Sequence, residues 1–257
     1  MGTPVPLEPN AVKFIKSHSI KATGNGVPAA RKLLIFSQPK VGKTVLGARL
    51  GKHNWLVTDE DGFTSLTNDS VRKVIGHWDG TTFEKWVDVR MVLQAAEAGQ
   101  IICECGEPVD NIILDTVSGM VAETLQQIAA GAGTPKTGRV APESAGRPDY
   151  MVSKDRILPV MQQIAQMRNC SVTLLAHTKG GTKDAPNVVP DIHGAAYEVV
   201  NKYISLQAYM FIDDGTRKLQ VGAMGNQIVT GSRYDFPANI VTDDEFVAHV
   251  EKWKEAT

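Results

Sequence analysis

The stretch "SQPKVGKT", residues 37–44, decides how the rest of the sequence is interpreted. Its last three residues, Gly42, Lys43 and Thr44, match the end of the phosphate-binding pattern G-x-x-x-x-G-K-[ST], whereas Ser37 stands where that pattern has glycine. Because a Gly-Lys-Thr tripeptide is common by chance, the stretch is either a phosphate-binding loop with a substituted first position or an ordinary turn. The residues on either side of it distinguish the two.

The flanking residues have the order that a phosphate-binding loop requires. "KLLIFS", residues 32–37, is an apolar run with the length of a buried strand, and "TVLGARLG", residues 44–51, has a spacing compatible with a helix. Between a strand and a helix, backbone N–H groups of a loop converge on an anion. The context therefore favours the phosphate-binding interpretation.

Each conserved position of the pattern has a physical role. Gly42 lets the backbone approach the phosphates, the catalytic Lys43 reaches the β and γ phosphates, and Thr44 offers its hydroxyl to Mg²⁺. Ser37 is small enough to enter the turn. We predict a nucleotide site made by nine consecutive residues: Ser37, Gln38, Pro39, Lys40, Val41, Gly42, Lys43, Thr44 and Val45.

A magnesium–nucleotide site also needs a carboxylate at the end of a neighbouring apolar strand. "NIILD", residues 111–115, ends in Asp115. We therefore predict that Thr44 and Asp115 hold Mg²⁺. The alternative is that Asp115 only caps the next helix.

Hydrolysis requires a group that activates or orients water near the γ phosphate. "TDEDG", residues 58–62, follows another apolar run, and we choose Glu60 as this group. Asp59 and Asp61 are close rivals because the parity of the strand is not fixed by sequence, and a solvated acidic turn is the alternative. His177, at the end of "TLLAHT", is predicted to hydrogen-bond the γ phosphate or its attacking water, the alternative being a structural histidine.

Strand-like and helix-like stretches alternate up to about residue 201, and strand-like stretches follow. This order predicts an α/β fold with a mostly parallel twisted sheet flanked by helices and with antiparallel strands at the C-terminal edge. We expect an arm (1–30), a core (31–241) and a C-terminal helix (242–257), which Thr242 and Glu245 open with a capping box. Pro159 is expected at a kink or an early turn of a helix.

Composition limits the class of protein. The chain has 257 residues and a net charge of −1, which argues against a basic protein coated with nucleic acid. Three cysteines are too few for a disulfide framework, so we expect a reducing, cytoplasmic compartment. The sequence has neither a secretory apolar segment nor a long apolar run, so no membrane association is expected.

Two of the cysteines lie in "CECG", residues 103–106. Zinc sites usually take four ligands from two such clusters, and the sequence has no second cysteine pair. A turn with two small buried side chains, Cys103 and Cys105, is therefore favoured over a metal site.

The order of the motifs resembles the RecA-type recombinase core, and more closely the phage-encoded RecA-like ATPases linked to single-strand annealing. The resemblance covers about residues 32–240 and rests on "SQPKVGKT", "LVTDEDG", "NIILDTVSG", "LLAHTKG" and "GNQIVTGSRYDFPANI". It implies hydrolysis of ATP with Mg²⁺, activation of water by Glu60 and a sensor role for His177 ahead of a mobile DNA-binding loop. It also implies that Arg233 of "GSR" reaches the nucleotide of a neighbouring subunit, although an ordinary surface arginine is the alternative.

Two glycine-containing loops carry cations that could follow the backbone of single-stranded DNA. The five candidates are Lys136, Arg139, Arg147, Lys179 and Lys183. Mobile solvent loops are the alternative. Because the net charge is −1, we expect DNA binding to combine loops from several copies of the chain in a ring or filament, with a single-strand DNA-binding protein as a further partner.

Three functions compete. The first is a DNA-dependent ATPase that supports annealing or recombination, and the second is a nucleotide-gated interaction module such as a loader or packaging adaptor. The third, a small-molecule kinase with the same loop, is disfavoured because the sequence has no evident lid or acceptor pocket.

Overall fold

The fold is organised around one strand, Lys32–Ser37, whose six residues are all buried. It pairs in parallel with Ser171–Lys179 on one side and with Leu206–Asp213 on the other. A strand with parallel neighbours on both sides and covered on both faces has to be apolar almost throughout, as "KLLIFS" is.

The computed structural model describes residues 30–58, 62–131, 147–180, 187–222, 228, 230–232 and 236–252. The strands are β1 (Lys32–Ser37), β2 (His53–Thr58), β3 (His77–Thr82), β4 (Asn111–Asp115), β5 (Ser171–Lys179), β6 (Val189–Pro190), β7 (Leu206–Asp213), β8 (Thr216–Gln220), β9 (Gly231–Ser232) and β10 (Ile240–Thr242). The helices are α1 (Lys43–Arg49), a 3₁₀ helix (Gly62–Leu66), α2 (Asp69–Arg72), α3 (Trp86–Glu97), α4 (Val117–Gly131), α5 (Arg147–Gln166), α6 (Gly194–Tyr203) and α7 (Asp243–Lys252).

Neighbouring strands follow the order β10-β8-β7-β1-β5-β4-β2-β3. All pairs from β7 to β3 are parallel. The pairs of β8 with β7 and of β10 with β8 are antiparallel. The short strands β6 and β9 add antiparallel pairs to β5 and β7. The predicted α/β fold, a mostly parallel sheet with antiparallel strands at the C-terminal edge, is confirmed.

Side chains of β1 alternate between two apolar layers, as the period of two along a strand requires. Leu34 and Phe36 belong to the layer that contains α3, α4, α5 and α6. Leu33 and Ile35 belong to the layer that contains α1 and α7. Helices therefore cover both faces of the sheet, and the core lies on both sides of β1.

Two buried asparagines fix the C-terminal end of α1 to the sheet. Asn111 Nδ2 donates to the carbonyl of Gly47 at 3.2 Å and to Asn54 Oδ1 at 2.8 Å. Asn54 Nδ2 in turn donates to the carbonyl of Ala48 at 3.0 Å. These bonds supply donor partners to carbonyls in the last turn of the helix, where the helix itself leaves carbonyls short of donors. They attach α1 to β2 and β4, which fixes the position of the helix relative to the sheet.

The structure differs from the sequence prediction at several element boundaries. The prediction missed β3 at the edge of the sheet, as well as β10. Arg147, predicted to lie in a loop, is the first residue of α5, and Pro159 lies well inside that helix rather than in an early turn. The predicted capping box is confirmed, because the Glu245 N–H donates to Thr242 Oγ1 at 3.2 Å and the Thr242 N–H donates to Glu245 Oε2 at 2.8 Å.

Within the described residues, no helix is both long enough and apolar enough to span a membrane.

Candidate nucleotide-binding site

The loop of residues 38–42 leaves the sheet at the carboxyl end of β1 and runs directly into α1. Gly42 precedes the helix with φ 107° and ψ 24°, a left-handed conformation that glycine adopts at little cost. Ser37 is still part of β1 and pairs in register with His177. Because the first loop position is strand backbone, it does not require glycine, which explains why serine is tolerated there.

Lys43 is directed into the loop that precedes it. Its Nζ donates to the carbonyl of Ser37 at 3.3 Å, to Ser37 Oγ at 3.1 Å and to the carbonyl of Gln38 at 3.2 Å. The residue is only 6% exposed. Burial lowers the pKa of Lys43, and the negative charge of Asp115 opposes this shift. A cation is thus held inside the curve of the loop, where a phosphate group would compete for it.

Thr44 and Asp115 meet at the same edge of the sheet. Thr44 Oγ1 donates to Asp115 Oδ2 at 2.5 Å. Asp115 ends β4, which is separated from β1 by β5 alone, and the residue is 6% exposed. A hydroxyl and a carboxylate side by side are hard oxygen ligands of the kind that Mg²⁺ prefers. The residues predicted to hold the metal are therefore close enough to share one ion.

His177 lies between these two groups in the sheet, on β5. It pairs with Ser37 of β1, and its backbone N–H donates to Ser118 Oγ in the first turn of α4 at 2.9 Å. β5 continues for two residues beyond His177, so the residue precedes the end of the strand instead of terminating it. Its partly buried side chain belongs to the same edge as the loop and Asp115.

The three candidate acids, Asp59, Glu60 and Asp61, lie outside the described residues. Both residues that flank them are described. Thr58 is fully buried and pairs in register with Asp115. A Cβ on Gly62 would lie 1.7 Å from Thr58 Oγ1, so only glycine allows the chain to pack against Thr58 here. The acidic stretch therefore joins Thr58, which lies beside Asp115, to Gly62, which packs against Thr58.

Arg217 also lies at the loop, and sequence reasoning missed it. Its Nη1 is 2.8 Å from the position that a Cβ on Gly42 would occupy. Arg217 Nε pairs with Asp243 Oδ2 at 3.2 Å, and the same oxygen accepts from Arg49 Nη1 at 3.1 Å. Arg217 follows the turn between β7 and β8, in a polar stretch with no motif to single it out. Only the packing of the C-terminal strands beside β1 brings it to the loop.

Comparison with known proteins identifies the family. Residues 29–234, which are most of the chain, match the family described as AAA domain. This chain belongs to the AAA domain family. No curated protein matched the sequence.

Three solved structures are similar to this AAA domain. The crystal structure of the RadB recombinase is 12% identical, with 75% of this chain and 81% of that chain covered and a TM-score of 0.42. A prototypical ATPase from the type III secretion system of pathogenic bacteria is 12% identical, with 70% and 51% covered and a TM-score of 0.42. A DnaB-like replicative helicase is 9% identical, with 85% and 62% covered and a TM-score of 0.42.

The predicted DNA-contacting residues of this AAA domain are only partly described. Lys179 is the last residue of β5, and its Nζ donates to the carbonyl of Ile192 at 3.2 Å and lies 3.8 Å from Asp191 Oδ1. Its side chain is 47% exposed, so it remains accessible to a ligand. Three of these residues, Lys136, Arg139 and Lys183, lie outside the described part of the chain. Arg233, which was predicted to reach the nucleotide of a neighbouring subunit, also lies outside it.

Proposed function

We propose that this AAA domain is a RecA-like ATPase that binds and hydrolyses ATP with Mg²⁺ at residues 37–45, which comprise the loop and its two flanks. The observation that carries the proposal is the hydrogen bond between Thr44 and Asp115, beside the buried ammonium of Lys43. If Asp115 only capped α4, its carboxylate would not need to contact the Thr44 hydroxyl of α1, beside Lys43.

Lys43 provides the charge that binds the phosphates. Its three hydrogen bonds are to neutral oxygens of Ser37 and Gln38, 3.1 to 3.3 Å away. The β and γ phosphates of a nucleotide would replace these neutral acceptors with charged ones. Hydrogen bonds between charged partners are shorter and stronger than those to neutral groups. The exchange favours binding of a triphosphate.

Thr44 and Asp115 fit a magnesium ion, because both present oxygen atoms within hydrogen-bond distance of one another. When bound there, Mg²⁺ would neutralise part of the negative charge of the phosphates. Asp115 is nearly buried, which limits competition from water for its carboxylate.

The acid that activates water is assigned to Glu60, with Asp59 and Asp61 as rivals. Support comes from the residues that flank the acids, because Thr58 pairs with Asp115 and Gly62 packs against Thr58. His177 is proposed to sense the γ phosphate, because it pairs directly with Ser37, the last residue of β1 before the loop. It lies on β5, two strands away from Thr58 on β2.

Arg217 is proposed as a second cation for the nucleotide, contributed by the same chain. Its guanidinium contacts the loop at Gly42 while only its Nε pairs with Asp243. The remaining N–H groups of a guanidinium form a fork that suits phosphate oxygens. Arg233 remains a prediction for a contact from a neighbouring copy.

The proposed use of this ATPase is binding of single-stranded DNA during annealing, recombination or repair, as in the phage-encoded proteins that the motifs resemble. The exposed Lys179 lies two residues after His177 on β5. A conformational change at His177, caused by the γ phosphate, would therefore be transmitted over only two residues to a cation proposed to contact DNA. Since the net charge is −1, we propose that several copies of the chain join their loops around the strand.

The experiment is ATP turnover and DNA binding, measured with single-stranded and double-stranded DNA at two salt concentrations. We expect single strands to accelerate turnover and to bind more weakly as salt rises, because each neutralised phosphate releases counterions. Replacing Lys136, Arg139, Lys179 and Lys183 by alanine should flatten the salt dependence and leave ATP binding intact.

A charge-matched control replaces four exposed lysines elsewhere on the chain, namely Lys52, Lys73, Lys85 and Lys202. If both quadruple variants lose DNA binding equally, the two loops are not the DNA site. If the wild type binds no single-stranded DNA with any nucleotide, the nucleotide-gated interaction module replaces the proposal.

A further inference from the structure

A second group of reactive side chains lies at the amino edge of the sheet. His53 begins β2, and Cys103 and Cys105 occupy the turn that precedes β4. Their nitrogen and sulfur atoms all lie within 4.8 Å of one another. The sequence predicted a turn with two buried cysteines, but of these two only Cys103 is buried and Cys105 is exposed. No motif indicated His53, which is remote in sequence from the two cysteines.

The three side chains point at one another. Cys105 Sγ lies 3.2 Å from His53 Nδ1 and 3.0 Å from Cys103 Sγ. Both cysteines are free thiols. Two sulfurs and an imidazole nitrogen thus face a common point at the surface, with Cys105 open to solvent.

Backbone hydrogen bonds hold this arrangement in place. The Cys103 N–H donates to the carbonyl of Glu107 at 2.8 Å, and the Gly106 N–H donates to the carbonyl of Cys103 at 2.8 Å. Gly106 has φ 89°, which lets the chain turn sharply just after Cys105. The Asp110 N–H donates to the carbonyl of His53 at 2.9 Å, and this bond ties the loop to β2.

We propose that His53, Cys103 and Cys105 bind one zinc ion, with a water molecule as the fourth ligand. Two thiolates and an imidazole are ligands that favour zinc over Mg²⁺ or Ca²⁺. The two thiolate charges balance the charge of the ion. The exposure of Cys105 leaves room for water on the solvent side.

The zinc site is separate from the nucleotide site. His53 and Thr58 are the first and last residues of β2, and Thr58 pairs with Asp115. Five residues of strand span about 16 Å. The ion would connect the start of β2 to the loop before β4, so its binding should stabilise the folded chain by mass action.

The test uses the full chain, purified without a histidine tag under reducing conditions and dialysed against Zn²⁺. We expect one zinc per chain by elemental analysis, and a melting temperature that falls when EDTA removes the metal. Replacement of zinc by Co²⁺ should give the visible absorption bands of a four-coordinate site with thiolate ligands.

Cys105→Ser and His53→Ala each remove one ligand. Loss of a partner in the outer shell already costs about 10–100-fold in metal affinity, so loss of a ligand should cost at least that. Cys170→Ala is the matched control, because it removes a cysteine that lies outside the cluster and should bind zinc like the wild type. Circular dichroism establishes that each variant is folded.

Three results would overturn the proposal: no stoichiometric zinc in the reduced wild type, equal zinc affinity in the ligand variants and the wild type, or the same loss in Cys170→Ala. A disulfide between Cys103 and Cys105 that persists in the reduced preparation would also contradict it. ATP binding is measured separately. A failure of the zinc proposal therefore leaves the nucleotide proposal untouched, and a failure of the nucleotide proposal leaves the zinc proposal untouched.

Discussion

The hydroxyl of Thr44 donates a hydrogen bond of 2.5 Å to Asp115 Oδ2, joining the first turn of α1 to the end of β4. The two residues are far apart in the sequence, and β5 lies between β4 and β1, the strand that precedes the loop and α1. Parallel strands place their carboxyl ends along one edge, where ligands of α/β proteins bind. This contact is therefore the most direct structural support for a magnesium–nucleotide site.

Thr44→Val removes the hydroxyl while keeping the shape of the side chain. We expect the gain in ATP affinity that Mg²⁺ provides to fall by about 10-fold. This is the scale of one hydrogen bond to a charged group. Thr44→Ser keeps the hydroxyl and is the control. Calorimetric titration of ATP with and without Mg²⁺ measures the effect, and an unchanged gain from Mg²⁺ in the valine variant would remove Thr44 from the metal site.

Arg217→Ala should weaken binding of ATP by about 10-fold and leave binding of AMP nearly unchanged, because the guanidinium is proposed to contact the outer phosphates. Arg217→Lys should restore part of the affinity. Lys218→Ala is the control, since Lys218 is adjacent on β8 but pairs with Asp213 at 2.7 Å. Equal losses for ATP and AMP would mean that Arg217 only supports the fold of the loop.

Glu60→Gln should retain ATP binding and slow hydrolysis by about 10²-fold or more, as expected for loss of a general base. The assay is turnover at saturating ATP, together with nucleotide affinity. Asp61→Asn is the comparison: if it is inactive while Glu60→Gln is active, the neighbouring acid is the catalytic one. If neither variant is slowed, the acidic stretch has no catalytic role.

Lys32 gives a prediction about stability and pH. Burial, and in second place the charge of Arg168, lower the pKa of Lys32 from 10.5 to about 8, while Glu97 opposes the shift. Between these two values the unfolded chain binds more protons at this site than the folded chain does, so raising the pH stabilises the folded state.

The free energy of unfolding of the wild type, relative to Lys32→Met, should therefore rise from about pH 8 towards pH 10.5. Urea unfolding at several pH values measures this difference. A difference that stays constant with pH would show that Lys32 has an ordinary pKa in the folded protein.

Much of the fold follows from local sequence. The strands β1, β4 and β5 are continuous apolar runs because helices cover them on both faces, and such runs are recognisable. β3, "HWDGTT", is only partly buried at an edge of the sheet and has no apolar run, so pattern alone does not reveal it. Its assignment depends on pairing with β2, which is a tertiary property.

The residues of the candidate sites also fall into two groups, those that local sequence predicts and those that only the structure reveals. Lys43, Thr44 and Asp115 could be predicted because each stands at a fixed place relative to an apolar strand. Arg217 and His53 could not, because no motif surrounds them and only the order of strands in the sheet brings them to their partners. Sequence identifies residues that act through local geometry, whereas residues recruited by packing require the structure.

Calorimetric titration of ATP into the wild type and into Lys43→Ala measures whether this AAA domain binds Mg-ATP at the loop before Lys43. We expect one site per chain in the wild type and a loss of affinity of at least about 10-fold in Lys43→Ala. Lys52→Ala, which removes an exposed lysine elsewhere, should bind like the wild type. Wild-type affinity and turnover in a folded Lys43→Ala protein would show that ATP does not bind at this loop.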